Sequence, residues 1–238
     1  MIELRNVSTG YGSRELVKNA DALFAPSTLT ALTGRNGSGK STLLRAIAGL
    51  GKITSGDIVV DGKTRFSSAA ERARSIAFVN TQRVRIANMR CRDLVGLGRA
   101  PYTDWAGRLS DHDNNIVEGA LATVGMSEYS SRSLDTMSDG ECQRVMIARA
   151  LAQDTPNILL DEPTSFLDLP NRYQLMELLG KLAHEQGKTI LLSTHELDIA
   201  LACADNIALI DTPELKLLPA SEQSTRQTVA ECFGIGRL

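Results

Sequence analysis

Gly34-Arg35-Asn36-Gly37-Ser38-Gly39-Lys40-Ser41 brings glycines, a lysine and hydroxyls together in one short run, followed by Thr42. Glycines let a backbone curl until successive N–H groups point at one anion. A helix starting at Lys40 adds the positive end of its dipole to the same place. Lys40 then supplies a point charge for the β- and γ-phosphates of a nucleotide, and Ser41 a hydroxyl for Mg²⁺. A glycine-rich turn matches this pattern by chance on the order of once per hundred chains of this length. The apolar strand read before it and the helix read after it favour the phosphate cradle over the chance match.

A second group lies far downstream. Asn157-Ile158-Leu159-Leu160-Asp161-Glu162-Pro163 sets two carboxylates at the end of an apolar run. In open α/β sheets ligands sit at the carboxyl ends of strands. Asp161 can therefore hold Mg²⁺ opposite Ser41, and Glu162 can orient or deprotonate an attacking water. The bland alternative is a pair of surface charges closing a strand. His195 follows Ile190 to Thr194 in the same way and is placed to reach a terminal phosphate, although a lone histidine more often has a structural role.

These groups need a framework. Ile2 to Val7 alternates as a half-buried strand does, and Leu29 to Thr33 is a short apolar strand. Lys40 to Leu50 has helical spacing in Leu43, Leu44, Ile47 and Ala48, ended by Gly49. Asp57 to Val60 is a strand followed by Asp61-Gly62, a hairpin-turn signal, and Ile76 to Val79 is another strand. From about residue 84 helical patterns take over. Ser110 is a candidate cap for a helix in which Ile116, Val117, Ala120, Leu121 and Val124 share a face, and a further helix runs through Val145 to Leu151. Then strands at 158–160, 190–192 and 207–210 alternate with helices at 171–186 and 196–203. Alternating strands and helices imply an α/β core with a parallel sheet, interrupted by a helical insertion at about 84–150.

Composition narrows the class. The 238 residues carry 26 Lys+Arg and 28 Asp+Glu, a net charge of −2, with 42% hydrophobic and 23% charged residues. That is an ordinary globular balance, and it argues against a protein that lives on nucleic-acid phosphates. Aromatics at 4% leave little for base-stacking platforms. Cys91, Cys142, Cys203 and Cys232 are widely spaced, unlike a disulfide framework or a zinc site, and suit a reducing compartment. The first residues show no charged segment followed by an apolar one, and no apolar run approaches a bilayer span.

Taken together, the motifs resemble the nucleotide-binding subunit of an ATP-binding cassette (ABC) transporter, over essentially the whole chain. Residues 34–42 are similar to its Walker A loop, 157–162 to Walker B, Ser165-Phe166-Leu167-Asp168 to the D-loop and His195 to the switch histidine. Tyr11 is similar to the aromatic residue that stacks on adenine. Gln82 is the best match for the Q-loop glutamine that contacts Mg²⁺ and the attacking water. Met137-Ser138-Asp139-Gly140-Glu141-Cys142-Gln143-Arg144 occupies the place of the signature motif, where Ser138 and Gly140 would meet the γ-phosphate held by a second copy. The resemblance implies a P-loop NTPase (RecA-like) core, residues 1–83 and 151–238, with an N-terminal antiparallel β portion and an inserted α-helical subdomain at 84–150, all in a single nucleotide-binding domain.

Two departures stand out. The Q-loop segment Phe78-Val79-Asn80-Thr81-Gln82 lacks the usual proline before glutamine. In the signature, Met137, Asp139 and Glu141 replace the usual leucine, glycine and glutamine, which adds negative charge where a polyanion is to bind. One reading is that Asp139 points away and the site stays active. Another, compatible with it, is structural: Ser138-x-x-Glu141 is a capping box.

The resemblance further implies ATP with Mg²⁺, a homodimer, an integral-membrane permease dimer and, indirectly, a substrate-binding protein, with no nucleic acid. It places the chain on the cytoplasmic face of the inner membrane as a peripheral subunit. About a hundred residues separate Walker A from the signature, with no heptads, unlike the coiled-coil ATPases of this superfamily. Asp93-Leu94-Val95-Gly96-Leu97-Gly98-Arg99-Ala100-Pro101-Tyr102 resembles the segment found in ATPases that import iron–siderophore complexes, haem or cobalamin. The open alternatives are an importer ATPase for another substrate class, a soluble ABC ATPase that remodels a cytosolic complex, and a non-catalytic nucleotide-binding module.

Overall fold

The computed structural model describes residues 1–12, 14–80 and 86–236. Its elements in chain order are β1 (Ile2–Tyr11), β2 (Arg14–Phe24), β3 (Thr28–Gly34), α1 (Lys40–Ala48), β4 (Ser55–Val60), α2 (Ala69–Ala73), β5 (Ile76–Val79) and α3 (Cys91–Gly96). They continue as α4 (Asp111–Thr123), α5 (Asp139–Ala152), β6 (Asn157–Leu160), α6 (Leu169–Gln186), β7 (Thr189–Ser193), α7 (Leu197–Cys203), β8 (Asn206–Asp211), β9 (Glu214–Pro219) and α8 (Gln223–Phe233).

Two sheets form. An antiparallel sheet has the order β2-β1-β4, and a six-stranded sheet has the order β5-β6-β7-β3-β8-β9. In the larger sheet only the β8–β9 pair is antiparallel. Its central strands are buried on both faces, which is why they read as unbroken apolar runs. Leu32, Leu159 and Leu191 face α1 and the smaller sheet, where they join Leu43, Leu44 and Ile47. Leu29, Ile158, Leu160, Ile190 and Leu192 face the opposite side and pack with α5, α6 and α7.

Most of the expected elements are present with shifted boundaries: several extend, while α1 ends at Ala48, two residues before the Leu50 expected. The helix read from Val145 starts at Asp139, because Ser138 caps it: its Oγ accepts from Glu141 N (3.3 Å) and Glu141 Oε2 accepts from Ser138 N (2.7 Å). Ser110 caps α4 by the same reciprocal box with Asp113. Asp61-Gly62 forms the turn its composition predicts, with both residues at positive φ, but only a single bridge, Val60 to Lys63, follows it. The alternation of β1 slips after Leu4: Asn6 adopts φ 50°, and Val7 rather than Asn6 turns inward. Strands β2 and β9 and helix α8 have no counterpart in the sequence reading.

Helices α3, α4 and α5 pack on one another and enclose an ion pair. Arg99 Nε lies 2.8 Å from Asp113 Oδ1, with Arg99 3% and Asp113 6% exposed. Arg99 Nη1 also donates to Ala152 O (2.9 Å), and its guanidinium stacks 4.0 Å from the Tyr102 ring centre. Two hydrogen bonds from Ser110, reinforced by Arg99, lower the Asp113 carboxyl from 3.8 to about 2. Breaking a buried pair leaves one charge uncompensated, so Arg99→Met is expected to cost about 3–5 kcal/mol in urea unfolding at neutral pH. Because the folded pKa is depressed, Asp113's contribution is present above about pH 4 and is lost as pH falls toward 2. The difference between parent and variant should shrink over that window.

Among the described residues no helix is long and apolar enough to cross a membrane.

Candidate nucleotide site

Strands β3, β7 and β6 are adjacent and parallel, so all three end on one edge of the sheet. Loop 34–39 leaves β3, Asp161 and Glu162 leave β6, and Thr194 and His195 leave β7 between them. Chain segments more than a hundred residues apart thereby converge.

The first segment is an anion cradle by construction. Helix α1 is capped by Gly39 with no side-chain hydrogen bond, as α3, α7 and α8 also lack one, whereas Ser68, Ser110, Ser138 and Asp168 cap α2, α4, α5 and α6. The first-turn N–H groups of a helix have no intrahelical acceptor, so those of Lys40, Ser41 and Thr42 are left to an external one. Gly39 sits at φ 105°, and a Cβ there would lie 2.8 Å from Leu16 Cβ. At Gly34 a Cβ would lie 2.6 Å from Ile210 O. Only glycine fits at either place. Lys40 is 6% exposed, and its Nζ folds back on the loop, donating to Gly34 O at 2.8 Å. Burial lowers its pKa, while the charges of Glu162 and Asp161 act in the opposite direction. Arg35, Asn36 and Gly37 are exposed and Ser38 is buried.

The carboxylate segment meets this cradle directly. Asp161 Oδ1 accepts from Ser41 Oγ at 2.8 Å and from Ser193 Oγ at 2.7 Å. Ser193 Oγ in turn accepts from Glu162 N at 2.8 Å. Ser193, fully buried at the end of β7, therefore ties the two acidic residues together. It went unnoticed in the sequence. The available signal was a polar residue closing the apolar run before His195, but its position beside Asp161 and Glu162 follows from strand order, β7 being the neighbour of β6. Glu162 adopts φ 48°. Its carboxylate accepts from Ser165 Oγ (3.2 Å) and lies 3.9 Å from His195 Nδ1.

The remaining candidates are distributed around this cluster. Tyr11 ends β1 and is 85% exposed. Gln82 lies outside the described residues. Ser138 caps α5 and Gly140 lies in its first turn; a Cβ at Gly140 would lie 3.4 Å from Leu167 Cδ2, and Ser138 Oγ accepts from Glu141 N. Among the described residues no hydrogen bond or ion pair joins either of them to loop 34–41. Glu141 is not free to face an anion: its carboxylate is held by Ser138 N, which chiefly lowers its pKa, and by Arg132 Nη1 at 3.2 Å. A hydroxyl and a carboxylate oxygen 2.8 Å apart beside an anion cradle are hard donors that suit Mg²⁺.

A parallel sheet that delivers a glycine-capped phosphate loop from one strand and a carboxylate pair from a nearby strand end defines a P-loop nucleoside triphosphatase. Sequence comparison makes the class specific. The family model described as "ABC transporter" matches residues 17–165, and the chain belongs to that family; it is an ABC-type ATPase. It is 36% identical to the iron(3+)-hydroxamate import ATP-binding protein of Bacillus subtilis over 200 residues, 84% of this chain and 74% of that one. Among solved structures it is similar to an inward-facing ABC transporter described as of metal-chelate type, with TM-score 0.85 and 26% identity over 98% of this chain and 88% of that one. It is also similar to an ATP-binding cassette solved as a dimer in a post-hydrolysis state with ADP and Pi, with TM-score 0.80 and 28% identity over 93% of this chain and 100% of that one.

Proposed function

We propose that this chain is the ATP-hydrolysing subunit of an importer for a metal chelate of the iron–siderophore, haem or cobalamin kind. Two copies would work with a separate membrane permease and, through it, a substrate-binding protein, on the cytoplasmic face of the membrane. The observation that carries the reading is the single hydrogen-bonded cluster Ser41–Asp161–Ser193–Glu162 beside a glycine-capped helix and a buried lysine. The iron(3+)-hydroxamate relative and the metal-chelate neighbour point to the cargo class.

In this reading residues 34–42 wrap the β- and γ-phosphates, with Lys40 turning its ammonium from Gly34 O to the phosphate oxygens. Tyr11 stacks on the adenine. Ser41, Asp161 and Gln82 would hold Mg²⁺, which would supply charge neutralisation for the bound triphosphate. Glu162 takes a proton from the attacking water as the oxygen bonds to the γ-phosphorus. The bond from that phosphorus to the bridging oxygen breaks and ADP leaves. His195, whose Nδ1 lies 3.9 Å from the Glu162 carboxylate, would reach the γ-phosphate. Ser138 and Gly140 of a second copy close the site, and Glu141 does not oppose this because Arg132 and Ser138 N hold its charge. Residues 84–150 form a helical subdomain that moves against the core, 1–83 and 151–238, as the dimer closes and reopens.

Apolar surface for a permease helix is available. A groove of about 510 Å³ lies between the end of α1, α2 and β5, with Leu50, Phe66, Ala69 and Phe78 in its lining. Further along, Trp105 is 98% and Ile86 41% exposed, whereas Leu94 is buried in the helical core.

Uptake of ⁵⁵Fe-loaded siderophores, haem and cobalamin by cells lacking this chain tests the cargo class. One of the three should fall at least tenfold, recover with the parent chain and not recover with Glu162→Gln. Unchanged uptake of all three would refute the assigned cargo class.

A further inference from the structure

We propose that Arg172 is a positioning residue for hydrolysis, holding the loop that carries Glu162 and the loop that carries His195 as one unit. The proposal rests on the ATPase reading above. Arg172 lies in the first turns of α6, and among the described residues no hydrogen bond or ion pair joins it to the phosphate loop. Its guanidinium has two separate engagements. Nε donates to Leu167 O at 2.7 Å, and Nη1 lies 2.9 Å from Glu196 Oε1. Leu167 closes the segment that begins at Glu162, and Glu196 is the residue immediately after His195.

Both ends of this bridge need holding. In the 161–168 segment Glu162 (φ 48°) and Phe166 (φ 71°) adopt a backbone conformation that side-chain-bearing residues rarely take. Two turn bonds, Ser165 N to Glu162 O and Leu167 N to Thr164 O, keep the segment folded, and Arg172 takes up the carbonyl where it ends. On the other side, the Glu196 side chain is only 11% exposed, and its Oε2 is buried without a hydrogen-bond partner. Arg172 is thus the cation that compensates a poorly hydrated carboxylate. Removing it leaves that charge buried and unpaired, which forces the 194–196 loop to move toward water. His195 moves with it, and its 3.9 Å approach to Glu162 is lost. The planar fork of arginine reaches two acceptors in fixed directions, which a lysine ammonium cannot reproduce.

Steady-state ATP hydrolysis separates this role from a general contribution to folding. Arg172→Ala should lower kcat about tenfold and leave the KM for ATP within about twofold, because residues 34–42 are untouched. Arg172→Lys should recover part of the loss, since it restores one of the two engagements. Added to His195→Ala, Arg172→Ala should cost less than about a further twofold, as expected of a residue that acts through His195. A kcat within twofold of the parent overturns the proposal, as does a double variant that loses the product of the two single losses. If Arg172→Ala does not fold, Glu196→Gln replaces it with the same expected and overturning results. Glu162→Gln is assayed alongside. A parent without ATP hydrolysis, or a Glu162→Gln variant at the parent rate, removes the ATPase reading and this proposal together. A normal parent, a dead Glu162→Gln and an unaffected Arg172→Ala overturn this proposal alone.

Discussion

Glu162→Gln is expected to lower kcat for ATP hydrolysis at least about a hundredfold while ATP still binds, the scale of loss when a positioned general base is removed. The substitution keeps the shape of the side chain and the backbone bond from Glu162 N to Ser193 Oγ, so the loop should stay in place. What disappears is the anionic oxygen proposed to receive the water's proton. In the proposed cycle loss of the γ-phosphate reopens the dimer, so the variant should accumulate as an ATP-bound pair. Size-exclusion chromatography with light scattering would show a dimer with Mg-ATP and a monomer without. Turnover at the parent rate would remove Glu162 from its assigned role. A slow variant that stayed monomeric with ATP would instead remove the closed dimer from the account.

Lys40→Met should have the largest effect on binding. The methionine retains most of the apolar stem in a position only 6% exposed, but it removes the ammonium. A charge-assisted contact to phosphate contributes about 1.5–3 kcal/mol, so ATP affinity should fall about 10- to 150-fold. Fluorescence titration with a labelled nucleotide analogue measures this directly. Gly34 O loses its partner in the same variant, so a thermal-melting control should show a shift of only a few degrees. Affinity within threefold of the parent would show that the phosphate does not sit on this loop.

The parts of the site that were legible in the sequence are those made by contiguous residues. Residues 34–41 carry their geometry locally, because glycine spacing and a following helix suffice to shape the cradle. The cap at Ser110 and the capping box at Ser138 were legible for the same reason, because each acts within one turn; that Asp113 closes a reciprocal box at Ser110 went unread. Ser193 and the Arg172–Glu196 bridge were not legible. Their roles depend on β7 lying between β3 and β6, and strand order does not show in one-dimensional periodicity. The fold divides in a similar way. The buried parallel strands announce themselves as apolar runs. Strand β2, Arg-Glu-Leu-Val-Lys-Asn-Ala-Asp-Ala-Leu-Phe, exposes much of its length and is kinked at Asn19 (φ 47°), so its alternation is broken. Helix α8 buries only Thr225, Val229 and Ala230 and leaves little apolar pattern to read.

The signature departures have a physical resolution in part. The glutamate at 141 closes the capping box and pairs with Arg132, so its charge is directed back into its own helix terminus rather than toward a bound polyanion. Asp139 occupies the first position of α5, where a carboxylate favours the helix dipole.

The central claim is that this ATPase drives a membrane permease. The most direct measurement is affinity purification of tagged Glu162→Gln from its own cells in mild detergent with Mg-ATP, with partners identified by mass spectrometry. The account predicts recovery of a multi-span membrane protein in near-equal amount. Recovery of soluble proteins alone, at a yield where a known membrane complex survives in a control, would contradict it.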